Sequence, residues 1–177
     1  PTGVDISLMD ALAYSKNTIT AKLMQDVGVN PVIKLAQGLG VRQSPLEPVP
    51  ALALGASPVT LLEMVNAYGS IANSGRFIAP QLVTRIENAD GDVLAEFNTP
   101  EPKQVWDAED NYNLIEMLRA VIDKGTGRAI RKQYGIRSDV AGKTGTTQGN
   151  ADGWFILMPP QIVVGAWAGF NDSRVTT

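Results

Sequence analysis

Near its C-terminal end the chain places a lysine at the head of a run of small hydroxyl residues, Ala141-Gly-Lys-Thr-Gly-Thr-Thr147. In a strand the side chains alternate, so Lys143, Gly145 and Thr147 share one face while Thr144 and Thr146 take the other. A bulge, an edge or a twist there lets the cation and the hydroxyls meet one anionic ligand. Gly145, with no side chain, allows a substrate backbone to lie against the strand. A second polar triplet, Ser15-Lys16-Asn17, offers a hydroxyl and an amide 128 positions before Lys143. Each triplet has a plainer reading: Lys-Thr-Gly as a strand with a glycine bulge, Ser-Lys-Asn as a cap between helices.

Other chemistries fail on the residues. Gly142-Lys143-Thr144 resembles the end of a phosphate loop, but the glycine required five residues earlier is Arg137. Gly125-Thr-Gly127 fails as a dinucleotide fingerprint, because position 130 is Ile130 and a helical pattern precedes it. The chain contains no Cys and no His. That removes disulfides, thiolate nucleophiles, zinc fingers, His-based metal sites and any Ser-His-Asp hydrolase whose base lies in this chain. No metal ion or cofactor is expected. A proton carrier working at neutral pH must then be Lys, Asp, Glu or Tyr with a shifted pKa.

The elements that must position these residues can be read from periodicity and caps. Asp5 to Tyr14 is helical, with Ile6, Met9, Leu12 and Ala13 at helical spacing. After the break at residues 15–17, a second helix runs from Thr18 to about Val27. Asn30-Pro31 predicts the start of a third, ended by Gly38-Leu-Gly40, and Ser57-Pro58 predicts the start of a fourth, ended near Asn73-Ser-Gly75. Ser44 to Pro50 holds three prolines and reads as an extended loop. Gln81–Ile86 and Asp92–Phe97 alternate around Asn88-Ala-Asp-Gly91, which predicts a hairpin. Asp107 to Asp123 is an amphipathic helix capped by Asp107. Val140–Thr147, Gly153–Met158 and Ile162–Phe170 follow as strands, the last two joined by a short turn. The fold class is α+β, helices packed on an antiparallel sheet.

Composition agrees. The 177 residues suggest one domain or a large piece of one, and 44% hydrophobic with 19% charged residues is an ordinary globular balance. With 17 Gly and 11 Pro, the chain falls short of the roughly 25–30% that marks disorder. A net charge of −3 gives no electrostatic reason to expect nucleic acid. The longest apolar run, Ile162 to Phe170, is too short to span a bilayer, and no signal-peptide pattern follows Pro1.

Serine proteins that react with β-lactams carry S-x-x-K, then S-x-N, then K-T-G. Ser15-Lys-Asn17 and Lys143-Thr-Gly145 stand in that order. Ala11 to Thr18 resembles the S-x-N region of the transpeptidase domain of bifunctional class A penicillin-binding proteins. Ala53 to Met64 with Asn66-Ala-Tyr68 and Ala72 to Gly75, Gly125-Thr-Gly127, Ala141 to Thr147, Asp152 to Phe155 and Val164 to Gly169 are similar to further segments of that family. One element departs: no Ser-x-x-Lys occurs in the 177 residues. The resemblance therefore implies the C-terminal portion of one incomplete transpeptidase domain, of the penicillin-binding and serine β-lactamase-like fold. Its expected parts are a helical part at about 1–75, a hairpin at about 81–97, and a helix plus sheet at about 107–177.

What the resemblance implies for function is serine acyl transfer. The substrates would be peptidoglycan stem peptides ending in D-Ala-D-Ala, with β-lactam antibiotics as trapping mimics. Ser15 would relay a proton to the leaving nitrogen, and Asn17 would bond the substrate amide. Lys143 would keep the site positive, with Thr144, Gly145, Thr146 and Thr147 binding substrate; Thr144 and Thr146 would hold its carboxylate. The Thr146 backbone N–H would give half of the oxyanion hole. Trp154 and Trp167 read as packing, and Gly125-Thr-Gly127 as a turn without chemistry. The parent protein would be anchored to the membrane by its N-terminal part, would act outside the bacterial cytoplasmic membrane and would carry a glycosyltransferase domain. Two alternatives stand beside this: a non-catalytic module that binds stem peptides or β-lactams, and a serine β-lactamase or sensor relative.

Overall fold

The computed structural model describes residues 3–147 and 151–170. The part of the expected C-terminal portion at 148–150 and 171–177 lies outside the described residues. Helix α1 (Leu8–Ala13) is capped by Ser7, whose hydroxyl accepts the Asp10 N–H at 3.1 Å. Helix α2 (Asn17–Val27) begins almost at once. The corner between them is Ser15, held at φ 50°, a left-handed conformation that residues with a Cβ seldom adopt.

Helix α3 (Val29–Leu39) is separated from α2 by Gly28 at φ 86°. It starts before Pro31 rather than at it. Because a first-turn N–H has no helical partner anyway, proline is tolerated there as well. The proline-rich loop runs as expected into a short 3-10 turn, Pro50–Leu54. Helix α4 (Leu61–Ala72) begins after Thr60, not at Pro58. The local capping bond decides this: Thr60 Oγ1 accepts the Glu63 N–H at 3.2 Å.

Strand β1 (Arg76–Phe77) pairs with β4 (Lys103–Gln104), a two-residue ladder that the sequence pattern did not reveal. The hairpin forms from β2 (Arg85–Glu87) and β3 (Val93–Glu96), shorter than the alternation implied. Its open end is closed by Gln81, whose amide donates to the carbonyls of Val83, Phe97 and Asn98 at 3.2–3.4 Å. Helix α5 (Ala108–Asp123) is capped by Asp107, which accepts from Glu109 and Asp110 N–H at 2.8 and 3.1 Å. An unexpected short helix, α6 (Ala129–Lys132), follows the Gly125-Thr-Gly127 turn.

Strands β5 (Ala141–Thr146), β6 (Asp152–Met158) and β7 (Val164–Gly169) form one antiparallel sheet in the order β5-β6-β7. The core joins this sheet to the helices through Leu39 and Val41, Ala67 and Ile71 of α4, Leu118 and Val121 of α5, and Ala141 and Met158 of the sheet. Val121 and Ile122 are wholly buried, and each such aliphatic side chain stabilises the fold by roughly 1.5–3 kcal/mol. Helices on an antiparallel sheet are the α+β architecture expected from the sequence.

Candidate active site

Among the described residues, strand β5 is an edge of the sheet, and its hydrogen-bonding phase decides what it offers. Thr147 donates its N–H to the Asp152 carbonyl at 3.2 Å. Hydrogen-bonded and non-bonded pairs alternate along an antiparallel ladder. Gly145–Trp154 and Lys143–Ile156 are therefore bonded pairs, while the N–H and C=O of Thr144 and Thr146 point to the open edge. The Thr144 carbonyl confirms the phase, because it accepts from Lys143 Nζ at 2.8 Å.

Lys143 Nζ also donates to Ser15 Oγ. Residues 128 positions apart thus meet directly, one from β5 and one from the corner between α1 and α2. The left-handed backbone of Ser15 turns the chain between the two helices at this point, and strain of this kind concentrates at functional sites. Asn17, at the start of α2, lines the same cleft.

Burial pushes the Lys143 ammonium below its ordinary 10.5. Tyr68, another cleft-lining group, goes the other way: burial raises its phenol to about 12 and keeps it protonated. Of these two, Lys143 is the one whose proton is loosened, and it already holds a hydroxyl.

The cleft encloses about 850 Å³. One wall is the end of β5 from Lys143 to Thr146 with Thr147 after it, and the lining is largely apolar, with Leu12, Val41, Leu46 and Met64 in it. Trp154 and Trp167 also line it, as an edge-on pair with ring centroids 6.5 Å apart. Trp167 Nε1 donates to Asp152 Oδ2 at 3.2 Å. The space left by Gly145 is bordered by Trp154, since a Cβ there would come within 3.2 Å of the tryptophan Cβ.

The structure brings Ser15, Asn17, Lys143, Thr144, Gly145, Thr146 and Thr147 to one cleft. The hydroxyl of Thr144 is engaged with Thr126 Oγ1 at 2.5 Å, so the Gly125-Thr-Gly127 turn touches the site directly. Sequence reasoning also passed over Glu63. Its Oε1 accepts the N–H of Arg42, Gln43 and Ser44 at 2.8, 2.5 and 3.0 Å, and its Oε2 accepts the hydroxyls of Ser44 and Thr60. This network holds the loop that carries Val41 and Leu46 into the cleft. A signal for it was present, because Thr60-x-x-Glu63 has capping-box spacing.

An edge strand here presents a lysine to a serine at a helix corner, and the comparisons give the family in which this arrangement stands. The chain belongs to the penicillin binding protein transpeptidase domain family, which it matches over residues 2–161. It is 36% identical over 173 residues to penicillin-binding protein 2D of Bacillus subtilis, covering 94% of this chain and 24% of that protein. It is 37% identical over 167 residues to penicillin-binding protein 1A of Aquifex aeolicus, covering 94% of this chain and 22% of that protein. The chain thus spans about a quarter of the length of these relatives. Its fold superposes on penicillin-binding protein 1A of Haemophilus influenzae with a TM-score of 0.88 at 24% identity, over 97% of this chain and 31% of that one. The D,D-transpeptidase domain of an Eggerthella lenta peptidoglycan glycosyltransferase gives 0.76 at 26% identity, over 92% of this chain and 48% of that one.

Proposed function

We propose that this chain is the C-terminal portion of a class A transpeptidase domain and supplies most of the site for serine-type D,D-transpeptidation. The observation that carries the reading is the contact of Lys143 Nζ with Ser15 Oγ, made between elements far apart in sequence. The acylated serine comes from a Ser-x-x-Lys segment outside these residues, since none occurs among the 177.

The serine gives its proton to the lysine of its own Ser-x-x-Lys as it attacks the carbonyl of the penultimate D-Ala of a stem peptide, and D-Ala leaves as its nitrogen takes that proton. Ser15 passes that proton, and Lys143 holds the Ser15 hydroxyl and lends it positive charge. The Thr146 N–H, on the open edge of β5, donates to the developing oxyanion. Thr144 and Thr146 hydroxyls with the Lys143 ammonium receive the substrate carboxylate, Thr147 lines the rim, and Gly145 keeps the strand surface low. Asn17 bonds the substrate amide. An amine of a neighbouring stem then takes the acyl group, forming a cross-link. β-Lactams enter the same site and remain as acyl-enzymes. The work is done on the extracytoplasmic face of the bacterial cytoplasmic membrane, in a parent protein that also carries a glycosyltransferase domain.

Intact mass spectrometry after incubation with a penicillin tests this. The 177 residues alone gain no adduct, whereas a protein joining them to the family's Ser-x-x-Lys segment gains one stoichiometric adduct on that serine. A stoichiometric adduct on the 177 residues alone would show that the nucleophile lies among them, against this reading.

A further inference from the structure

The Gly125-Thr-Gly127 turn lies between the two halves of the site and bonds to both. The Thr126 N–H donates to the Ala13 carbonyl at 3.0 Å. Ala13 is the last residue of α1, and its carbonyl is one of those a helix leaves without an internal partner. The Thr126 hydroxyl bonds the Thr144 hydroxyl at 2.5 Å. Thr144 in turn accepts Lys143 Nζ on its carbonyl at 2.8 Å, and Lys143 donates to Ser15, two residues beyond Ala13. The bonds close a ring running Ala13, Thr126, Thr144, Lys143, Ser15 and back along the chain.

The flanking glycines show that this closeness is built in. A Cβ on Gly125 would overlap the Ala13 carbonyl oxygen, and one on Gly127 would come within 2.8 Å of Ile122 Cδ1. At position 125 no residue with a side chain lets the turn approach α1 this closely, while Gly127 packs on α5. Another link between α1 and the end of α5 is the Lys124–Asp10 ion pair at 2.6 Å, whose side chains are 47% and 36% exposed. Exposed pairs of this sort hold geometry weakly. Thr126 adds a hydrogen-bonded tie between α1 and β5, through its N–H to Ala13 and its hydroxyl to Thr144.

We propose that Thr126 is a positioning residue: it sets the Thr144 side chain and, through the Thr144 carbonyl, the Lys143 ammonium against Ser15. The inference rests on the transpeptidase reading for its activity readout. Thr126→Val keeps the shape and the N–H but removes the hydroxyl, leaving Thr144 without this partner; Thr126→Ser restores it.

The test uses the protein in which these residues stand with the Ser-x-x-Lys segment, and measures penicillin binding and acylation separately. For Thr126→Val the acylation rate constant falls roughly threefold to tenfold, as expected for one hydrogen bond, and the dissociation constant of the initial complex, to which the Thr144 hydroxyl still contributes, changes less. Thr126→Ser stays within twofold of wild type. Wild-type acylation in Thr126→Val, or an equal loss in Thr126→Ser, overturns the proposal. A wild-type protein that is never acylated refutes the transpeptidase reading instead. In that case the Thr126→Val/Thr144→Val cycle in urea unfolding still decides: coupled effects support the hydroxyl pair, and additive effects overturn it.

Discussion

Glu63 is 6% exposed yet ionised, and its removal should reshape the acid stability of the protein. Burial by itself raises the carboxyl pKa. The Ser44 hydroxyl and N–H, the Gln43 N–H and the Thr60 hydroxyl more than offset it, bringing the value from 4.5 to about 2. A folded-state pKa below the unfolded one contributes stability that is complete above pH 4.5 and drains away as pH falls through about 2. At about 1.4 kcal/mol per pH unit, the full contribution is on the order of 3 kcal/mol, of which about 2 kcal/mol is gone at pH 3. Glu63→Gln keeps the volume and one acceptor oxygen but has no charge to titrate. Urea unfolding of wild type and Glu63→Gln at pH 7 and pH 3 isolates the effect, because other carboxylates cancel between the two proteins. The variant should be less stable by about 3 kcal/mol at pH 7, the full linkage figure, and by only about 1 kcal/mol at pH 3. A stability gap that is the same at both pH values would refute the claim that the buried carboxylate is held charged by its donors.

Lys143→Ala, in the protein carrying the Ser-x-x-Lys segment, should slow β-lactam acylation about tenfold to a hundredfold, the worth of a charge-assisted contact of roughly 1.5–3 kcal/mol. Acylation within twofold of wild type would make Lys143 merely structural. In the wild-type protein, the alkaline limb of the acylation rate should lie below pH 10.5, since burial lowers the Lys143 pKa and activity is lost as the ammonium deprotonates. A limb above that value would contradict the buried setting. Gly125→Ala should destabilise the fold by about 1–3 kcal/mol, because its methyl would overlap the Ala13 carbonyl and come within 2.9 Å of Val121 Cα. An unchanged melting temperature would show that the turn does not press on α1.

Much of this was legible from local signals. The Asp107 cap, the alternation around Asn88–Gly91 and the strand pattern from Ala141 onward act over a few residues, and helix, hairpin and sheet all form where those signals lie. Where two local signals competed, the sequence alone did not rank them. Pro58 reads as a helix start, yet the chain begins α4 at Leu61 because Thr60 caps Glu63. Pairings such as β1 with β4 involve two residues per strand, too few to leave a periodic trace.

For the site, the sequence determined the residue types: a lysine with hydroxyls on a strand, a serine and an asparagine at a helix junction, and no histidine or cysteine to do their work. The family resemblance joined the two triplets. Tertiary structure alone decided that Lys143 reaches Ser15, that β5 is an edge whose Thr144 and Thr146 groups face outward, and that Thr126 ties the two halves together. Caps and alternation are fixed by neighbours within one turn or one strand. Contacts across 128 residues, and the hydrogen-bonding phase of a strand, exist only once the core has closed and each element has a partner to register against.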